Sequence, residues 1–318
     1  MTLRIAIQMD PIETVNIKGD STFTIMLEAQ SRGYQLFHYL PELLSYVEGK
    51  VVANVRPIKV QRVAGNHFVA DAAVRLDLKS DVDVVLLRQD PPFDLAYITT
   101  THLLEMLEGH TLVVNDPVSV RNAPEKLFVT KFRELMPPTL ITRSRAEVSA
   151  FRGEYKDVVI KPLYGNAGNG VFLMRHDDPN SPALIEMFEH ASREPYMVQA
   201  FLPQVSEGDK RIVLVDGEVV GAINRLPKAG EIRSNLAAGG SAQQTVLSPR
   251  DLEICAAIGP DLKQMGLIFV GIDVIAGHIT EINVTSPTGI VAIDHFNNTN
   301  TAGRIWDAIE KRLTSKRL

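Results

Sequence analysis

The sequence predicts an α/β protein whose first third is an open α/β sheet and whose remainder mixes helices with antiparallel hairpins in an α+β manner. Three observations carry that expectation. Strand-like and helix-like segments alternate from residue 3 to residue 116. Runs of branched residues meet at Asp216-Gly217 and again at Ala276-Gly277, which read as tight hairpin turns. At 318 residues the chain is long for one compact core, so two or three subdomains are expected.

In chain order, 3-LRIAIQM-9 is a first strand and 10–20 a polar loop. A helix follows from Ser21 to Arg32, with Asp20 or Ser21 as N-cap, Phe23, Met26, Leu27 and Gln30 near helical spacing, and Gly33 as its stop. Strands are expected at 34–40, 83–89 and 111–116, with a helix over 94–109, and residues 50–80 read as an inserted pair of strands. Beyond Pro117, Ala123 and Pro124 open a helix carrying Lys126 through Leu135, and 137–144 leaves it as a strand. After a helix near 145–152, 157–175 reads strand, glycine-rich loop, strand. Segment 196–203 is a buried strand, 210–227 a hairpin, 228–244 a Gly- and Ala-rich loop, and 249–265 and 302–313 are helices.

Hydrophobic residues at 45% and charged residues at 22% describe an ordinary globular protein and exclude a disordered one. Runs such as 84-VVLL-87 are too short to span a bilayer, and the N-terminus has no basic segment followed by a signal-type apolar core, so a cytoplasmic location is expected. Net charge −5 argues against a broad nucleic-acid surface while leaving room for a local cationic cleft. Cys255 is the single cysteine and sits at a periodic, core-type helical position, so neither a disulfide nor a cysteine metal cluster is expected.

Chemistry is concentrated in 269-FVGIDVIAGHITEINVTSPTG-289. Strand side chains alternate, so Glu281 and Asn283 share a face that Asp273 can reach from the partner strand. Three oxygen donors suit Mg²⁺, which takes one or two carboxylates and completes its shell with waters and phosphates. The competing reading is the solvated face of an edge hairpin. Gly165, Gly168 and Gly170 lie in a loop that reads either as a plain turn or as one that lets backbone N–H groups approach an anion, and Lys161 on the preceding strand leads into it. No Gly-Lys-Ser/Thr follows, so this is not a Walker loop. Asp10, Lys18, Arg88, Asp90 and Asp94 lie at or after strand ends, where ligands of open α/β sheets collect. A Pro-rich turn is the alternative for those loops.

Lys126, Lys161, the glycine loop, 196-YMVQAFLP-203, 208-GDKR-211, Arg225, Asp273, Glu281 and Asn283 follow one another in an order that resembles the ATP-grasp ligases. Further stretches, 9-MDPIE-13, 90-DPPFD-94, 235-NLAAGG-240 and 281-EINVTSPTG-289, resemble the bacterial, prokaryotic-type glutathione synthetases over nearly the whole chain.

The resemblance implies a Rossmann-like substrate domain at 1–122, a central ATP-grasp lobe at 123–200, and a C-terminal lobe at 201–318 with a lid at 228–244. ATP would lie between the lobes, with Lys126 and Lys161 on phosphates, Gly165, Gly168 and Gly170 over them, Gln199, Phe201 and Leu202 beside adenine, and Asp209 on the ribose. Asp273, Glu281 and Asn283 are the implied ligands of Mg²⁺, with Mn²⁺ as the alternative. Arg211 and Arg225 would stabilise the transferring phosphoryl group and the substrate carboxylate, while Arg233 and Asn235 belong to the lid. Asp10, Lys18, Arg88, Ser286 and Thr288 are implied substrate contacts.

The implied reaction converts the cysteinyl carboxylate of γ-glutamylcysteine to an acyl phosphate, which the amine of glycine attacks to give glutathione, ADP and phosphate. The implied partners are those small molecules, with no nucleic acid and no membrane, in a homo-oligomer that the resemblance makes a tetramer. Val291 stands where some relatives have arginine. Ala167 stands where a relative's loop has glycine, and a left-handed backbone there would cost alanine about 1 kcal/mol. Two readings remain beside this one: a carboxylate–amine ligase with another acceptor, such as a protein C-terminal glutamate, and a nucleotide-binding regulatory protein without catalysis. A nicotinamide oxidoreductase is disfavoured, because Met9-Asp10-Pro11 occupies the place of a glycine fingerprint.

Overall fold

Residues 2–236 and 239–316 are described by the computed structural model. The first sheet grows from β1 (Arg4–Gln8), whose Ile5, Ala6 and Ile7 are fully buried, as in a parallel sheet covered on both faces. α1 (Ser21–Ser31) follows, with the Asp20 side chain accepting from the Phe23 N–H as N-cap and Phe23, Ile25 and Met26 buried. β2 (Gln35–Tyr39) pairs with β1 in parallel.

Residues 44–77 contain more than the expected pair of strands. β3 (Leu44–Val47), β4 (Lys50–Val60), β5 (Phe68–Ala70) and β6 (Val74–Asp77) are all present, and β4 pairs with β2, β3, β5 and β6. At 11 residues β4 is long enough for different stretches of each edge to take different short neighbours. β7 (Val84–Leu87), α2 (Leu95–Glu105) and β8 (Leu112–Val114) complete the sheet, with β7 parallel to both β1 and β8.

The helix expected over Lys126–Leu135 is broken. α3 (Pro117–Asn122) and α4 (Glu125–Phe128) are short, and Val129–Leu135 is a 3₁₀ stretch in which Phe132 leaves helical space at φ −113°, ψ 45°. Val129, Thr130 and Phe132 are poor helix formers that lose side-chain freedom against the preceding turn. β9 (Thr139–Thr142), α5 (Arg145–Tyr155), β10 (Val158–Pro162), β11 (Phe172–Met174), α6 (Ser181–Ala191) and β12 (Tyr196–Ala200) then build an antiparallel sheet ordered β11-β10-β12-β9.

The last sheet is ordered β15-β14-β13-β16-β17, from β13 (Asp209–Val215), β14 (Glu218–Leu226), β15 (Ser241–Gln244), β16 (Phe269–Ile275) and β17 (His278–Asn283). Both expected turns have positive φ at their two central residues, 50° and 82° at Asp216-Gly217 and 48° and 74° at Ala276-Gly277, the type I′ signature. The expected lid ends in β15, so 241–244 is strand rather than loop; Ala237 and Ala238 lie outside the described residues. α7 (Pro249–Gln264), α8 (Ile290–Asn297) and α9 (Thr301–Lys316) complete the chain. α6 and α8 have no counterpart among the expected elements.

The apolar interior explains where a cleft forms. Val85 and Leu87 of the first sheet share one core with Ile212, Val270 and Ile272 of the last, and Leu86 and Val114 share another with Phe269 and Trp306. The four-stranded sheet keeps its own core of Val148, Val158, Ile160, Met174, Phe188 and Val198. Cys255 is buried in the first core, and burial pushes its thiol up to about 12, which makes it inert. Among the described residues, no helix is long and apolar enough to cross a membrane.

Candidate active site

The floor of the cleft is one face of the five-stranded sheet. Register places Arg225 opposite Asp209, Arg211 opposite Asp273, and Asp273 opposite Glu281, while Asn283 faces Gly271. Cross-strand partners point to the same side, so these charges form rows. Arg211 donates to both oxygens of Asp273 at 2.6 and 3.1 Å, and Arg225 lies 3.0 Å from the same carboxylate and 2.5 Å from Asp209. Gly271 leaves room for this arrangement, because a Cβ there would lie 3.0 Å from Arg211 Nη1.

The facing wall belongs to α4, β10 and the glycine loop. Lys126 Nζ donates to Glu125 at 2.6 Å and to the Gly165 carbonyl at 2.6 Å, and stands 3.4 Å from Glu281. Lys161, at the end of β10, stands 3.7 Å from Glu281. Both lysines line a pocket with Gly165, Gly168, Gln199, Phe201, Leu202, Asp209, Arg233, Asn235, Asp273 and Glu281, and with apolar Val159, Val171 and Ile275. Gln199 donates to Thr139 Oγ1 at 2.9 Å, and the Phe201 N–H donates to the Asp157 carbonyl at 3.0 Å. The Asp209 Oδ2 atom accepts from Arg225 and from Ser234 Oγ, so the carboxylate is turned onto the sheet. Gly170 is outside the lining, with φ +70°.

A second pocket adjoins the first and shares Glu281 and Asn235 with it. Its wall includes Arg211, Arg225, Asn283, Ser286 and Thr288, together with Asp90, which the sequence placed in a candidate ligand loop, and Glu125, which it did not single out. Ala167 lines it with φ +52°, the left-handed conformation the sequence reading raised as a possibility. Val291 lies on α8, packed against the apolar core rather than in this lining.

The N-terminal candidates divide. Arg88 is buried and donates to Thr22 and to the Pro287 carbonyl at 2.8 Å, so it supports the 285–289 loop from behind. Asp10 accepts from the Asp90 N–H at 2.8 Å and so steadies the loop that contributes Asp90. Lys18 is exposed and lines neither pocket. A signal for Glu125 was present in the sequence: it precedes Lys126, and a carboxylate beside a buried lysine is a natural ion-pair partner.

Burial and charge compete across the floor. Burial works to raise the Asp273 carboxyl, but Arg211 and Arg225 outweigh it and hold Asp273 well below the usual carboxylate range. Burial raises Asp209, and the opposing pull of Arg225 does not overcome it. Burial lowers Lys161, whereas at Lys126 the attraction of Glu281 and Glu125 overcomes burial and keeps the ammonium charged. Burial, then the nearby Glu281, raise Glu125.

The prokaryotic glutathione synthetase N-terminal domain model matches residues 3–121, and the ATP-grasp domain model of the same family matches residues 125–298. The chain belongs to the prokaryotic glutathione synthetase family. The glutathione synthetases of Rhodopseudomonas palustris and Brucella melitensis are each 56% identical to it, over 98% of this chain and 99% and 100% of theirs. That of Vibrio vulnificus is 42% identical over 99% of this chain and 100% of its own. Among solved structures, D-cycloserine synthetase DcsG aligns over 98% of this chain and 99% of its own with TM-score 0.68 at 16% identity, a likeness of fold.

As a prokaryotic glutathione synthetase, the chain is an ATP-dependent ligase of glutathione synthesis and depends on a divalent metal. The residues present fit such an ion. Asp273, Glu281 and Asn283 offer only oxygen donors of the kind hard cations take. Asn283 Nδ2 is buried without a hydrogen-bond partner, so the surrounding protein does not dictate which end of the carboxamide faces the cleft. Among the described residues no group of three or more His, Cys, Asp or Glu side chains converges, so phosphate oxygens or water must complete the shell. Both Asp273 oxygens are engaged by arginine, and Oδ1, which accepts from Arg211 Nε, keeps a second lone pair for an ion.

Proposed function

We propose that the first pocket holds ATP and the second holds γ-glutamylcysteine and glycine, with phosphoryl transfer at their junction. The observation that carries this is that Glu281 and Asn235 line both pockets, while Arg211 and Arg225 line the second directly beside them. Lys126 and Lys161 hold the phosphates as point charges, Gly165 and Gly168 let the loop backbone approach them, and Gly170 gives the loop its exit. Gln199, Phe201 and Leu202 border the adenine beside Val159 and Ile275. Asp209 sits at the ribose end and orients Arg225.

Asp273, Glu281 and Asn283 would hold Mg²⁺, or Mn²⁺ in its place, and the ion supplies charge neutralisation for the transferring phosphoryl group. A free carboxylate is a poor acylating group because its leaving group is oxide; phosphorylation supplies a better one. Arg211 and Arg225 orient the cysteinyl carboxylate and stabilise charge as it becomes an acyl phosphate. Arg233 and Asn235 close over the site, since an acyl phosphate must be kept from water until the glycine amine arrives. Ser286 and Thr288 border the acceptor, and Asp10 and Arg88 are assigned to shaping the substrate end through their bonds to Asp90 and Pro287.

The proposed parts are 1–122 for substrate, 123–200 for the glycine loop, and 201–318 for the metal and the lid at 228–244. The family resemblance supports a cytoplasmic homotetramer, which light scattering after gel filtration checks. The deciding assay is ADP release with ATP, Mg²⁺, γ-glutamylcysteine and glycine. Hydroxylamine in place of glycine should trap a hydroxamate. No ADP above the control lacking γ-glutamylcysteine would sink the substrate assignment, and nucleotide binding without hydroxamate would favour a non-catalytic binder.

A further inference from the structure

The loop leaving β17 is gripped from the N-terminal part of the chain at three points, one on α1 and two just after β7 and β8. The Gly289 N–H donates to Ser21 Oγ at 3.1 Å, Arg88 donates to the Pro287 carbonyl at 2.8 Å, and Asn115 Nδ2 donates to the Val284 carbonyl at 2.7 Å. Arg88 also lies over the Phe269 ring at 5.1 Å, but Asn115 differs from the other two in hydrogen-bonding both sides of the hairpin. Its Nδ2 also donates to the Phe269 carbonyl at 2.7 Å, and its Oδ1 accepts from the Phe269 N–H at 2.9 Å. One carboxamide therefore pairs with Phe269 as a strand residue would, and ties it to Val284.

The position of this contact matters. The β16–β17 ladder ends at Gly271 opposite Asn283, one residue short of Val284. Beyond that pair nothing in the ladder sets the strand spacing, and Asn283 would stand at a fraying end. Asn115, only 4% exposed and at the end of β8, continues the ladder with its side chain. An aspartate has no donors for the two carbonyls, a leucine has no polar atoms, and a glutamine is one methylene longer.

We propose that Asn115 is a positioning residue for the divalent cation, fixing β16 against β17 so that Asn283 and Glu281 keep their distance from Asp273. This rests on the metal assignment made above. Supporting residues around a metal commonly change its affinity by about 10–100-fold when removed.

The test uses the full chain, with Mn²⁺ as the probe read by electron paramagnetic resonance in the presence of a non-hydrolysable ATP analogue. Asn115→Asp buries a charge and can fail to fold, so the uncharged Asn115→Ser carries the decision. Asn115→Ser is expected to bind Mn²⁺ at least about 10-fold more weakly while metal-free binding of the analogue stays within about twofold. Glu281→Gln serves as the positive control, and Val114→Ala, a buried neighbour that makes none of these bonds, controls for general loosening. Unchanged Mn²⁺ affinity in Asn115→Ser, with Glu281→Gln impaired, overturns the inference alone. Equal weakening by Val114→Ala at the same loss of melting temperature also overturns it. Wild-type affinity in Glu281→Gln overturns the metal assignment and the inference with it.

Discussion

Arg211 and Asp273 are cross-strand partners on β13 and β16, and the guanidinium donates to both carboxylate oxygens in the buried floor of the cleft. Both side chains are nearly buried, with less than a tenth of either exposed. Removing one member of a buried pair costs about 3–5 kcal/mol, because the survivor is left uncompensated. Arg225, at 3.0 Å, still faces Asp273, so Arg211→Met is expected near the lower end, about 3 kcal/mol. Urea unfolding measures it; a loss under about 1 kcal/mol would mean that Arg225 alone satisfies the carboxylate.

Gly168 has φ +79°, and a Cβ on it would lie 2.6 Å from Asn235 Oδ1. The glycine loop and the lid thus meet through the Asn235 side chain, which a Cβ would push aside. Gly168→Ala combines about 1 kcal/mol of backbone strain with displacement of the Asn235 carboxamide. The expected result is an ATP KM raised about tenfold with the melting temperature nearly unchanged. Steady-state kinetics and a thermal melt on the same preparation check both parts.

Glu281 lies within ion-pair reach of Lys126 and Lys161 and lines both pockets. Glu281→Gln and Asn283→Ala are each expected to lower ADP release by more than about 100-fold, beyond what removing a merely supporting residue costs. Stability should change by only about 1–2 kcal/mol, since Lys126 keeps Glu125. Normal turnover in both variants would remove the metal assignment.

Asp251 completes the capping box of α7, whose N-cap is Ser248. Its Oδ2 accepts from the Ser248 N–H at 2.7 Å, from Ser248 Oγ at 2.8 Å and from Lys210 at 2.5 Å. Burial works to raise this carboxyl, but the three donors win and hold it below the ordinary value. A depressed folded value means that the stabilisation is complete above the unfolded value near 4 and disappears as pH falls through the folded one. The melting-temperature advantage of the wild type over Asp251→Asn should therefore be flat from about pH 8 to about pH 5 and shrink below about pH 4. A difference that grows on acidification would contradict the assignment.

Much of the fold was legible in the sequence. Asp20 caps α1, and the two hairpin turns carry the positive φ that Asp216-Gly217 and Ala276-Gly277 suggested. Glu281 and Asn283 could be grouped in advance because strand alternation is strict, but a regular hairpin would set Asp273 opposite Thr280, and only the register shift between Asp273 and Val274 brings it opposite Glu281. The second pocket was less legible. Asp90, Glu125 and Ser286 come from three distant segments, and no local pattern brings them together. Lys18 was misleading for the opposite reason, since a loop position after a strand does not say which way the side chain leaves.

By itself the sequence determined many of the strands and helices, the turn chemistry and the family, because these depend on dihedral preferences and motifs spanning a few residues. Tertiary structure alone decided that Asp273 is shared by Arg211 and Arg225, that Glu281 divides two pockets, and that Asn115 clamps a hairpin more than 150 residues away. Those relationships depend on sheet register and on cores that join the first sheet to the last. Register and packing are set by the whole chain's burial of apolar surface, which no short stretch of sequence encodes.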